Sequence, residues 1–203
     1  MTAQPLRVAV VGVGHLGRHH ARLMATLPDV QLVGVVDRSE ARAAEIAASA
    51  NTTPFTDWRA LEGKVDAVTI AVPTEGHHEV GMAFINQGVH VLIEKPLARN
   101  MTEADELVAA AAAKDVKLAV GHTERFNPAV AAARPLLKRP RFIEVSRLGT
   151  FPERSLDIDV VLDLMIHDLD IVLSLVGEQV VSVEAVGVPV LTPRIDIANV
   201  RLR

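Results

Sequence analysis

Along the first two thirds of the chain, short apolar runs rich in β-branched residues alternate with longer alanine-rich stretches whose apolar positions recur at helical spacing. The short runs at 7–11, 31–37, 67–72, 90–94 and 117–120 predict buried strands. The longer stretches at 16–27, 40–49, 76–87 and 102–114 predict helices. Strands that alternate with helices imply a parallel sheet with crossover helices on both faces. A sheet covered on both faces needs strands that are apolar almost throughout, as these are. The fold class is therefore α/β, a doubly wound parallel sheet.

The punctuation between these segments agrees. Ser39 caps the second helix, and Gly88 closes the third before the strand that starts at His90. Thr102 with Asp105 reads as a capping box opening the fourth helix. Pro28, Pro54, Pro73 and Pro96 fall between the periodic segments, where a missing N–H costs little. A second region begins after Gly121, which divides the chain into a first domain at 1–121 and the start of a second α/β domain with a mixed sheet at 122–203. In that second part, Arg125-Phe126-Asn127-Pro128 opens a helix and a Pro- and Arg-rich loop follows. Residues 142–148 alternate as a strand, 156–176 have helical spacing, and 180–190 and 195–202 read as strands. The last of these runs to Arg203, so the chain is expected to be a truncated form of a longer protein.

Composition narrows the function classes. With 49% apolar and 23% charged residues, the chain is globular and not disordered. It has no Tyr, one Trp and five Phe, so the core is built from Ala, Val, Leu and Ile. A net charge of −4 argues against non-specific nucleic-acid binding, which needs a cationic field. The absence of Cys excludes disulfides and thiolate metal sites and fits a reducing cytoplasm. The longest purely apolar stretch, 107–113, is far below the roughly 20 residues a membrane helix needs. No signal peptide is legible, and a cytoplasmic protein with no membrane partner is expected.

The strongest chemical signal is Gly12-Val13-Gly14-His15-Leu16-Gly17, a G-x-G-x-x-G directly after a strand and opening a helix. Gly12 permits the tight turn, Gly14 lets the backbone approach a pyrophosphate, and Gly17 lets helix and strand pack closely. His15 and Leu16 sit on the phosphate loop, where the helix presents N–H groups to an anion. Asp37 ends the second strand 20 residues after Gly17, where a carboxylate meets the adenosine ribose hydroxyls. It accepts hydrogen bonds from a 2′-hydroxyl and repels a 2′-phosphate, so NAD is favoured over NADP. Arg38 is the opposing consideration, because a guanidinium there reaches a 2′-phosphate; a solvated side chain is the alternative reading.

Two further clusters carry chemistry. Glu94-Lys95-Pro96 lies at the carboxyl end of a central strand, where open α/β sheets bind ligands. A lysine there can hydrogen-bond a substrate hydroxyl and stabilise a developing alkoxide. In Asp163-Leu164-Met165-Ile166-His167-Asp168-Leu169-Asp170, Asp163 and His167 are four residues apart, hence on one face of an α-helix. A carboxylate beside an imidazole orients it and makes a plausible acid/base unit. Asp168 and Asp170 are open between helix-stabilising and supporting roles.

The glycine loop, the segment from Pro73 to His77, Glu94-Lys95-Pro96, and Asp163 with His167-Asp168 occur in an order and spacing that resemble the Gfo/Idh/MocA family over the whole chain. The resemblance implies an NAD(P)-dependent dehydrogenase acting on a sugar or cyclitol hydroxyl. It places Lys95, Asp163 and His167 at the catalytic positions, and Pro73, Thr74, His77 and Glu94 beside the cofactor. Thr74 stands where the family often has Asn. Residues 121–128 and 163–170 are similar to the sugar-nucleotide branch, which implies oxidation of a UDP-amino sugar hydroxyl with Lys95, His122, Arg125 and His167 at the substrate. Arg147 and Arg154 are candidate cations for its diphosphate, or else solvated arginines. The intact protein is expected to be a homo-oligomer. Another sugar or cyclitol such as inositol, or a non-catalytic NAD-binding module, are the alternatives.

Other residues read as structural. His15 and His19 have helical i,i+4 spacing but no third ligand, so no metal site is expected. His78 reads as helix surface, His90 as a hydrogen-bonded strand residue and Trp58 as packing on a short helix. His122 follows a strand end and either faces the substrate or is structural. Arg134, Lys138, Arg139 and Arg141 form a basic stretch read as a solvated loop rather than a nucleic-acid contact.

Overall fold

The computed structural model describes residues 4–149 and 159–203. It divides into two compact units, Met1–Gly121 and His122–Arg203. In the first, strands β1 (Leu6–Val11), β2 (Val30–Val36), β3 (Thr53–Phe55), β4 (Ala67–Ile70), β5 (His90–Ile93) and β6 (Leu118–Val120) form one parallel sheet. Its strand order is β3-β2-β1-β4-β5-β6. Helices α1 (Gly17–Met24), α2 (Glu40–Ala50), α3 (His77–Asn86) and α4 (Met101–Ala113) are the crossovers. The chain builds outward from β1 in one direction and then restarts at β4 on its other side. The topological switch point therefore lies between the carboxyl ends of β1 and β4, where such sheets bind ligands.

Alternation along β1 separates two cores. Ala9 and Val11 join a cluster with Val68, Ile70, Phe84, Ile85, Ile93 and Leu107, whereas Val10 joins Val13, Ala21, Val35 and Ala47. Successive side chains of a strand point to opposite faces, so each face of the sheet carries its own apolar layer. Trp58 stands on a short 3₁₀ turn, Trp58–Leu61, and tilts against Phe84.

The structure differs from the sequence reading at two places in this unit. Pro54 lies inside β3 rather than between elements; β3 is an edge strand, where a residue without an N–H is tolerated. Helix α4 is capped by Asn100, whose side chain accepts from Glu103 N at 3.0 Å, and not by Thr102 with Asp105. Glu103 turns back to Arg99, accepting from its backbone N at 3.2 Å, so the cap sits two residues earlier. The capping of α2 by Ser39 and the left-handed Gly88 after α3 are as expected.

In the second unit, a 3₁₀ turn at Thr123–Phe126 leads into α5 (Pro128–Ala133). Residues 142–148 form no strand: Phe142, Val145 and Leu148 are exposed, and without a buried face the alternation has nothing to pack. Of the expected helix at 156–176, residues 156–158 lie outside the described residues. The rest is a π-helical turn, Val161–Met165, continuing into α6 (Ile166–Val176), which ends at the left-handed Gly177. Strands β7 (Val183–Val188) and β8 (Ile197–Leu202) pair antiparallel. No described helix is long and apolar enough to cross a membrane.

Candidate functional site

The glycine loop is built by exclusion of side chains. Gly12 has φ +86°, and a Cβ there would stand 2.7 Å from the backbone of Ala71 and Val72, just beyond β4. A Cβ on Gly17 would stand 1.8 Å from the Gly12 carbonyl oxygen. Around Gly14 there is open space. The loop after β1 is thus pressed against the loop after β4 while its outer side stays clear for an approaching group. No side chain caps α1, and Leu16 at its start is exposed. That leaves the helix end to an anion, as the motif requires.

Asp37 follows β2 with its carboxylate largely buried. Oδ2 accepts from Val13 N at 3.2 Å, and Oδ1 accepts from Ser39 N at 2.9 Å and from the Arg42 guanidinium at 3.2 Å. The glycine loop and the Asp37 carboxylate are therefore one hydrogen-bonded unit. Arg38 is exposed, and the guanidinium beside Asp37 is that of Arg42, which sequence reasoning missed. Its signal was available: Arg42 lies in the first turn of the helix that follows the strand-end aspartate. His15 receives a contact from Arg18 at 3.4 Å and meets the His19 ring edge to face.

The segment after β4 runs through Pro73 into a 3₁₀ turn at Thr74–Gly76. His77 is 1% exposed, and its Nδ1 and Nε2 stand 2.9 Å from the carbonyl oxygens of Pro96 and Val72. Its ring nitrogens thus both face backbone carbonyl oxygens. Glu94 is likewise turned inward: Oε1 stands 3.0 Å from His20 Nε2, a partner the sequence reading did not single out. Lys95 lies between these two anchored neighbours and is partly buried.

In the second unit, Asp163 lies in the π-helical turn and His167 in the first turn of α6. Asp159 caps this turn, accepting from Val161 N and Leu162 N, both at 3.0 Å. Asp168 accepts from Arg147 at 2.7 to 3.0 Å, and Asp170 accepts from Arg125 Nε at 2.9 Å. Burial alone would raise the Asp170 carboxyl, but the bond from Arg125 and the nearby charges of His122, Arg125 and His167 hold it below its ordinary value. Arg125 and Arg147, two of the three arginines expected at the substrate or its diphosphate, thus already have carboxylate partners. His122 is half-buried, and its Nδ1 is shielded from solvent with no hydrogen-bond partner among the described residues. Arg154 lies outside the described residues.

Residues 6–122 match the family model described as the oxidoreductase family Gfo/Idh/MocA with an NAD-binding Rossmann fold. The chain belongs to that family. UDP-N-acetylglucosamine 3-dehydrogenase of Acidithiobacillus ferrooxidans is 46% identical over 96% of the chain and 62% of that relative. Its solved structure superposes with a TM-score of 0.91 at 44% identity, over 98% of this chain and 66% of that one. A myo-inositol dehydrogenase of Streptomyces leeuwenhoekii is 32% identical over 94% of the chain and 62% of that protein. GenD2 from gentamicin A biosynthesis, solved in complex with NAD, is 26% identical with a TM-score of 0.86, over all of this chain and 63% of its own. The chain spans about three fifths of the length of these relatives. The cradle at Gly12, Gly14 and Gly17, closed by Asp37, fits the NAD that the family binds.

Proposed function

We propose that the protein oxidises a secondary hydroxyl of a sugar nucleotide, a UDP-amino sugar of the UDP-N-acetylglucosamine kind, with NAD as the acceptor. The observation that carries this reading is the placement of Lys95 at the carboxyl end of β5, on the sheet edge where the glycine loop and Asp37 also lie. The 46% identity to a dehydrogenase of that substrate supports the sugar-nucleotide assignment.

In this reading the glycine loop and α1 hold the pyrophosphate, and Asp37 holds the adenosine ribose. Bound nicotinamide supplies the hydride acceptor. Lys95 hydrogen-bonds the reacting hydroxyl and stabilises charge as it develops on that oxygen. His167 takes the hydroxyl proton, and Asp163 sets its ring. His122, whose buried Nδ1 has no hydrogen-bond partner among the described residues, is assigned to the substrate.

A second reading, oxidation of a cyclitol such as inositol, is favoured by one specific observation. Arg125 and Arg147 are paired with Asp170 and Asp168, so neither presents an unpaired charge to a diphosphate. Calorimetry with NAD, followed by absorbance of NADH with UDP-sugars, free sugars and inositols, separates the readings. Reduction of NAD by UDP-N-acetylglucosamine and not by inositols is expected. Reduction by inositol alone selects the second reading, and NAD binding without turnover on any of them selects a non-catalytic module.

A further inference from the structure

We propose that His20 and His77 are positioning residues that hold Lys95 from its two sides; the proposal rests on the reading of Lys95 as the hydroxyl-binding amine. Neither histidine is needed by the reaction as described above, yet each ties down one immediate neighbour of Lys95.

On the amino side, Glu94 is 6% exposed, and its carboxylate stands 3.0 Å from His20 Nε2. The other ring nitrogen of His20 stands 2.7 Å from Thr69 Oγ1, on the neighbouring strand β4, where Thr69 is 2% exposed. With its proton on Nε2, the ring donates to Glu94 and accepts the Thr69 hydroxyl proton, so its polar atoms are satisfied. The carboxylate also accepts from Lys95 N, at 3.3 Å. Its space is reserved by Gly121, where a Cβ would stand 2.8 Å from Glu94 Cδ and Oε1. On the carboxyl side, His77 Nδ1 stands 2.9 Å from the Pro96 carbonyl oxygen, and Nε2 stands 2.9 Å from that of Val72.

The two rings come from different helices. His20 is on α1, whose first turn closes the glycine loop, and His77 begins α3 behind the loop after β4. The turn that carries Lys95 is thereby fixed to both loops that flank the switch point. A flexible lysine delivers its amine accurately only when its backbone is held, and supporting hydrogen bonds of this kind are what hold a reacting group.

The test labels lysine amines of the whole chain competitively with acetic anhydride across pH and reads each lysine by mass spectrometry. Lys64, Lys114 and Lys138 serve as internal references. In His20→Ala and His77→Ala, the labelling profile of Lys95 is expected to change while the references do not. NAD affinity is expected to hold, and kcat to fall by about 10- to 100-fold, the cost of misplacing a reacting group by about 1 Å. His20→Gln, which returns an N–H to Glu94, is expected to recover part of the loss. His90→Gln, at the amino end of β5, is the control expected to leave Lys95 unchanged. If an alanine variant does not fold, Glu94→Gln and Thr69→Val read the same contacts. An unaltered Lys95 profile in the folded variants overturns the proposal. Full turnover in Lys95→Met with a shifted profile in His20→Ala overturns the catalytic reading of Lys95 instead, so the two failures are told apart.

Discussion

A Cβ placed on Gly17 would stand 1.8 Å from the carbonyl oxygen of Gly12. The two ends of the glycine loop are therefore in backbone contact, and the loop's shape depends on both residues lacking side chains. Gly17→Ala forces the start of α1 away from β1. It is expected to destabilise the protein by about 1–3 kcal/mol and to weaken NAD binding, as read by thermal unfolding and calorimetry. Gly14→Ala, with open space around it, is expected to leave stability nearly unchanged and to lower NAD affinity alone.

The pairing of Asp37 with Arg42 bears on cofactor choice. Asp37→Ala removes the acceptor for a ribose hydroxyl and releases Arg42, whose guanidinium then meets a 2′-phosphate. NAD affinity is expected to fall by about tenfold, the loss of one hydrogen bond to a charged group, and the preference to move toward NADP. Calorimetric titration with both dinucleotides checks this. Unchanged preference in Asp37→Ala with lost binding in Arg38→Ala would return the role to Arg38.

Asp196 supplies a pH dependence. Its carboxylate accepts from the backbone N–H groups of Val190, Leu191 and Thr192 at 2.7 to 2.9 Å and from the Thr192 hydroxyl. The backbone donors, that of Thr192 foremost, hold its carboxyl at about 2 against an ordinary 3.8. The folded value lies below the unfolded one, so the stabilisation is complete above about pH 3.8 and is lost as pH falls toward about 2. The turn between β7 and β8 is expected to open over that window. Amide resonances of Leu191 and Thr192 followed by NMR would show it, and Asp196→Asn should abolish the step.

Local rules made most of the first unit legible. Strand and helix periods, Ser39, Gly88 and the three loop glycines all act over a few residues, and each landed where the pattern placed it. The short strand β3 was not legible, because three residues containing a proline carry no periodic signal and owe their pairing to β2. His20 and Arg42 were missed for another reason. Each acquires meaning from a partner distant along the chain or across a turn, Glu94 and Asp37, and only the fold brings them together. The same holds for Arg125 and Arg147: their positive charge was visible in the sequence, but the carboxylates that take it up were not assigned to them. The π-helical turn at Val161–Met165 was not legible either, since a mostly apolar run carries no sign of the wider turn.

The central claim, that Lys95 acts on a hydroxyl beside NAD held by the glycine loop, is tested most directly by single-turnover NAD reduction in Lys95→Met at saturating NAD and UDP-N-acetylglucosamine. The account predicts a rate lower by about 10²–10³-fold with calorimetric NAD affinity unchanged. A rate equal to that of the unaltered protein would contradict it.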